Sequence, residues 1–129
     1  HLRYHWMETV VYRTLEYLSL ALVGFGIDDF IFVHLFTLTM GHFNHSNISI
    51  PLGVFKYIFN NPQMHIWHHG KKTPNKFGVN FGLTLSVWDY LFKTNYIPSN
   101  GRDIELGFEN DENFPKNFIS QEIYPLGKK

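Results

Sequence analysis

Asn61-Pro62-Gln63-Met64-His65-Ile66-Trp67-His68-His69-Gly70 is the stretch on which the reading of this chain turns. Asn accepts hydrogen bonds well at a helix N-cap, and Pro is pre-shaped for the first helical position. Gly70 is an equally plain stop signal. A short helix is therefore predicted between them. On it His65, His68 and His69 stand at i, i+3 and i+4, within an arc of about 100°, so all three rings can face one point. Crowding and desolvating three imidazoles is costly, and a metal ion removes that cost directly. Metal binding is the reading adopted; a polar helix face with chance histidines, or a pH-sensitive patch, is its alternative. A zinc-protease arrangement fits poorly, since no Glu accompanies the pair as in His-Glu-x-x-His or His-x-x-Glu-His.

Composition narrows what such a metal could be. The chain has no cysteine, which excludes disulfides, thiol catalysis and Cys-ligated zinc, and it has eight histidines in 129 residues. Any metal must be held by His, Asp or Glu, and neutral imidazole suits iron, zinc and copper. Eleven basic residues balance 11 acidic ones. No nucleic-acid partner is expected, because phosphate backbones are gripped by an excess of Lys and Arg. The length suits one modest domain. The chain begins at His1 without an initiator Met or a signal-like stretch, and is read as a partial domain whose upstream part is missing.

Upstream of the histidine helix two apolar runs, Leu18 to Ile27 and Phe30 to Met40, flank Asp28 and Asp29. Each run is shorter than the roughly 20 residues a helix needs to cross a bilayer. The expectation is a helical hairpin with the Asp pair at its turn, set in a membrane interface or beneath other helices. A buried helix pair in a soluble core is the alternative, and periodicity does not choose between them. Downstream, Phe81, Leu85, Trp88 and Phe92 are spaced as on a helix, and turn-rich sequence follows from Pro98. Phe118 to Leu126 is expected to dock as a short tail.

Two further histidine groups stand out. His42 and His45, in Gly41-His42-Phe43-Asn44-His45-Ser46-Asn47-Ile48, are i and i+3 at the end of an apolar run, where an imidazole usually has a partner. Metal ligation is the preferred reading for His45; His42 is a ligand or a hydrogen-bonding neighbour of one. Asn44-His45-Ser46 and Asn47-Ile48-Ser49 match the glycan acceptor pattern, but a glycan there would sit on the proposed site. In Arg3-Tyr4-His5-Trp6-Met7-Glu8, His5 is a ligand, an orienter of one, or part of an ordinary interfacial cluster. His34 reads as a satisfied core histidine.

Taken together these residues resemble the fatty acid hydroxylase and sterol desaturase superfamily. The resemblance rests on Arg3-Tyr4-His5 through Glu8, His45-Ser46-Asn47-Ile48, Asn61 through His69, Asn80-Phe81-Gly82, and Leu85-Ser86-Val87-Trp88-Asp89-Tyr90-Leu91-Phe92-Lys93-Thr94. It covers about residues 1–98, leaving 99–129 as a tail of one partial, C-terminal domain. Lys93 stands where the family usually has Gly, and the family's earlier histidine boxes have no counterpart here. The resemblance implies an all-α, membrane-associated helical domain with a short hairpin, a histidine-bearing helix on the cytosolic face and an irregular C-terminal tail.

The activity it implies is hydroxylation or desaturation of a lipid, a fatty acyl chain or sterol, by a multi-pass membrane protein. Two irons, molecular oxygen and an electron-donor reductase or cytochrome would serve it. His45, His65, His68 and His69 would be ligands, about half of a di-iron site. Asn80 and Asp89 are candidates for hydrogen bonds that orient ligating rings, and Trp67, Trp88 and the many Phe are expected to line or pack the site. The rivals are a non-catalytic zinc-binding protein and a His-metal hydrolase acting on a soluble substrate.

Overall fold

The computed structural model describes residues 5–108 and 111–124. Arg3 and Tyr4 of the resemblance, and the end of the tail at Leu126, lie outside them. The described residues are all-α: five α-helices and two 3-10 turns, with two isolated antiparallel bridges in place of any strand. The chain divides into two units, residues 1–33 with 110–129, and residues 34–109.

In the first unit, α1 spans Trp6–Val23, and α2, Ile27–Asn44, begins. Gly24, at φ 95°, ends α1 in the left-handed conformation, with its own N–H on Ala21 and that of Phe25 on the Leu20 carbonyl. Such a cap suits Gly because no Cβ opposes it. The hairpin turn is therefore made by Gly24 to Gly26. Asp28 and Asp29, expected at the turn, lie in the first turn of α2, where acidic side chains complement the helix dipole. Asp29 also reaches back to accept the Gly26 N–H at 2.9 Å, half of a capping box. Tyr17 and Phe30 meet across the hairpin with ring centroids 5.6 Å apart. Farther along the chain, α5, Phe118–Ile123, is capped by Asn117, so the expected tail contains a helical turn and a half.

α1 buries no residue, and α2 buries only Asn44. Leu15, Leu22 and Ile27 are 61, 79 and 73 % exposed. Among the described residues no helix is long and apolar enough to cross a membrane.

The second unit holds the buried centre. Its buried apolar residues include Pro62, Met64 and Val79, whereas Asn44, Asn60, Asn61, His65, Asn80, Ser86 and Asp89 are buried and polar. Hydrophobic burial alone cannot hold such a centre, because each buried polar group must find a partner or lose its hydration for nothing. The partners are largely backbone. Asn60 donates to the Gly82 carbonyl, Asn44 to Leu83 and Ser86 to Lys56, tying the 79–86 loop to its surroundings.

Here the helix predicted from Phe81 to Phe92 is shorter than its spacing suggests: α4 spans Val87–Phe92. The Asp89 carboxylate accepts the N–H groups of Phe81 and Gly82 at 2.7 and 3.0 Å and the Thr94 hydroxyl at 2.7 Å. Those amides are thereby committed to a loop outside any helical ladder. Lys93 ends α4 in the left-handed conformation, φ 58°.

Candidate metal centre

α3, Pro62–His68, forms as its sequence predicts. The Asn61 side chain accepts the Met64 N–H at 3.1 Å, and Asn60 in turn accepts the Asn61 N–H at 2.7 Å. Pro62 occupies the first turn, where its missing N–H is harmless. The helix stops one residue before the expected Gly70, with His69 as its C-cap at φ −90° and ψ 1°.

Three rings converge. His45 Nε2, at the end of α2, lies 3.3 Å from His65 Nε2 and 3.1 Å from His69 Nε2, and the last two are 3.1 Å apart. His65 and His69 come from one helical face; His45 reaches them from elsewhere in the chain. His68 stacks on His65 at 5.4 Å and stands beside the three, outside the cluster whose donor atoms all approach one another.

Hydrogen bonds set the protonation of two rings. His45 Nδ1 lies 2.7 Å from the Gly41 carbonyl, and His68 Nδ1 lies 3.0 Å from the Val79 carbonyl. A carbonyl only accepts, so each Nδ1 carries a proton, and in the neutral tautomer this selects, the lone pair is on Nε2. Burial, then the neighbouring His69, His45 and His68, lowers the His65 pKa from 6.5 to about 3. Burial, then His68 and His45, lowers that of His69 to about 4. Both rings are neutral at pH 7, the form that binds metal.

The donor set fits a metal ion on its own geometry. Two nitrogens bonded at about 2.1 Å and about 90–110° apart at an ion lie about 3.0–3.4 Å from each other, the range seen here. Without an ion the triangle is poorly satisfied, since His45 Nε2 has no proton to give and each N–H of its neighbours can point at only one acceptor. His65 is 1 % exposed, and its Nδ1, the ring nitrogen away from the convergence, is buried with no hydrogen-bond partner among the described residues.

Other expected site residues have different partners. His42 is exposed, with Nδ1 on the Leu38 carbonyl at 2.8 Å, and is not part of the converging group. His5 caps α1 by accepting the Met7 N–H on Nδ1 and donates from Nε2 to the Glu122 carbonyl at 2.6 Å. Neither ring nitrogen of His5 is left for a metal. Asn80 and Asp89 bind no imidazole among the described residues. Asn80 donates to the carbonyls of Met64 and Tyr96 and accepts the Tyr96 N–H; Asp89 holds the loop described above. Their reach to the site is through the backbone, because Asn80 follows Val79, whose carbonyl holds His68. Trp67 turns away to donate to the Ser99 carbonyl at 3.2 Å, and Trp88 is half exposed.

The sequence profile described as fatty acid hydroxylase matches residues 1–94 of this chain. The chain belongs to the fatty acid hydroxylase family. It is also similar to the ornithine lipid hydroxylase OlsE of Rhizobium tropici, 28 % identical over 127 residues that make up 98 % of this chain and 38 % of that protein. The chain thus spans well under half the length of this curated relative. No solved structure matches it significantly.

For this member of the fatty acid hydroxylase family, sequence reasoning missed Asn44 and Asn60, whose amides anchor the loop that carries Val79 and Asn80. The Asn60-Asn61 doublet before Pro62 was the available signal: one Asn caps the helix, and the second had no local task.

Proposed function

We propose that this chain supplies part of the iron centre of an oxygen-dependent lipid hydroxylase, with His45, His65 and His69 as ligands and His68 as a fourth. The convergence of three Nε2 atoms carries this reading. Family membership supports the reaction class, and the ornithine lipid hydroxylase likeness favours hydroxylation of a lipid over desaturation. The reading includes a second iron, whose donors exceed these four histidines and would come from elsewhere in the protein. It also includes a membrane setting, molecular oxygen and an electron-donor reductase or cytochrome, with the exposed apolar side chains of α1 and α2 in keeping with a lipid environment.

When bound, iron supplies the activation of oxygen and the oxidising power to break an unactivated C–H bond. The chain's own residues do the rest. Gly41 and Val79 fix the tautomers of His45 and His68, so that Nε2 of each is free to donate. Burial keeps His65 unprotonated and holds water from the far side of its ring. The Phe81 ring stands edge-on to His68 at 5.7 Å and limits its rotation.

Metal content and oxygen consumption of the intact, detergent-solubilised protein with a lipid substrate test the reading together. Iron with lipid-dependent oxygen uptake is expected. Stoichiometric zinc with no redox activity would overturn it.

A further inference from the structure

Residues 99–107 follow the part matched by the family profile, and turn-rich composition marks them as tail. They nevertheless run along α3. Gly70 and Leu106 form an antiparallel bridge; Lys71 N–H donates to the Glu105 carbonyl at 2.8 Å and Gly107 N–H to the His69 carbonyl at 3.0 Å. Trp67 donates to Ser99, and Arg102 reaches the carbonyl of Asn47, two residues from His45. Gly101 is buried against the helix: a Cβ there would overlap Ile66 Cγ2 and lie 3.1 Å from Trp67 Nε1.

His69 is where this matters. It is the first residue beyond α3; the peptide that follows it keeps the Gly70 N–H bond to the Trp67 carbonyl at 3.2 Å, but the His69 carbonyl has no partner further along the helix. The Gly107 N–H supplies that partner, and the Lys71 bond to the Glu105 carbonyl holds the next peptide.

We infer that Ser99–Gly107 is a positioning strap for the metal centre, with Gly101 and Gly107 holding the end of α3 so that His69 Nε2 stays against His45 and His65. The inference rests on the metal-centre reading above. Gly101 is needed for two reasons: its φ of +70° and the close approach of Ile66. Gly107, at φ 139°, lets the strap's N–H face His69.

Titration of the metal-free intact protein with Co2+, followed by its visible absorption, tests the strap. Gly101→Ala is expected to weaken Co2+ binding by about 10- to 100-fold, as loss of a ligand's supporting contacts does, and to shift the absorption bands. Gly53→Ala is the control, since Gly53 has φ +53° but nothing within 4 Å of a built Cβ. It is expected to bind Co2+ as the unsubstituted protein does. Removing the overlap in Ile66→Ala/Gly101→Ala should restore most of the affinity. Equal binding by Gly101→Ala and Gly53→Ala overturns the strap and leaves the metal centre standing, whereas no Co2+ uptake by the unsubstituted protein overturns both. If Gly101→Ala does not fold by circular dichroism, Trp67→Phe decides: weaker binding with shifted bands supports the strap, and unchanged binding overturns it.

Discussion

His45 and His65 are 20 residues apart in the chain, yet their Nε2 atoms lie 3.3 Å apart, and His69 Nε2 is 3.1 Å from each. His45 is the member supplied from outside α3, so its ring closes the triangle. Metal analysis by plasma mass spectrometry should find a large loss in His45→Ala and no change in His42→Ala, whose ring lies outside the converging group. Equal losses would show that the converging rings are not the centre.

Asp89 is 1 % exposed and receives two N–H groups and one hydroxyl. Asp89→Asn keeps the shape but gives up one acceptor oxygen and turns an NH2 toward existing donors. A destabilisation of about 1–3 kcal/mol is expected, the cost of leaving buried donors unsatisfied. Urea denaturation measures it; a midpoint equal to that of the unsubstituted protein would contradict the role assigned to this carboxylate.

Lys93 adopts φ 58° at the C-cap of α4 and is exposed. A side chain there meets the steric penalty that Gly escapes. Lys93→Gly should therefore stabilise the chain by up to about 1 kcal/mol, read as a raised denaturation midpoint.

The metal-free protein should lose stability in acid. The His65 pKa is depressed from 6.5 to about 3 in the folded state, so the unfolded chain takes up a proton that the folded chain refuses. The stability tied to the neutral ring is whole above about pH 6.5 and falls progressively as the pH drops toward about 3. Denaturation midpoints at pH 7, 6 and 5 should fall in that order, and His65→Phe should flatten the trend.

Much of this was legible in order along the chain. The cap and first turn of α3 are local chemistry between Asn61, Pro62 and Met64, and the helix falls where those residues put it. Charge interrupts the apolar run at Asp28-Asp29 and so predicts the hairpin turn there; Gly24, in the left-handed conformation, to Gly26, held by Asp29, make it instead. The 81–92 helix failed for a non-local reason, since Asp89 binds the amides of Phe81 and Gly82 and no spacing of apolar residues reports that bond.

By itself the sequence determined the helix presenting His65, His68 and His69 on one face and the exclusion of cysteine chemistry, because each follows from residue type and helical period alone, and its family resemblance implied the all-α character that the structure shows. Tertiary structure decided which histidines meet. His45 joins His65 and His69 while His5 and His42 turn to backbone carbonyls, since each ring's partner is chosen by the path of the backbone around it. It also decided that Ser99–Gly107 lies along α3, a contact made by backbone groups that every residue carries and no side-chain pattern reveals.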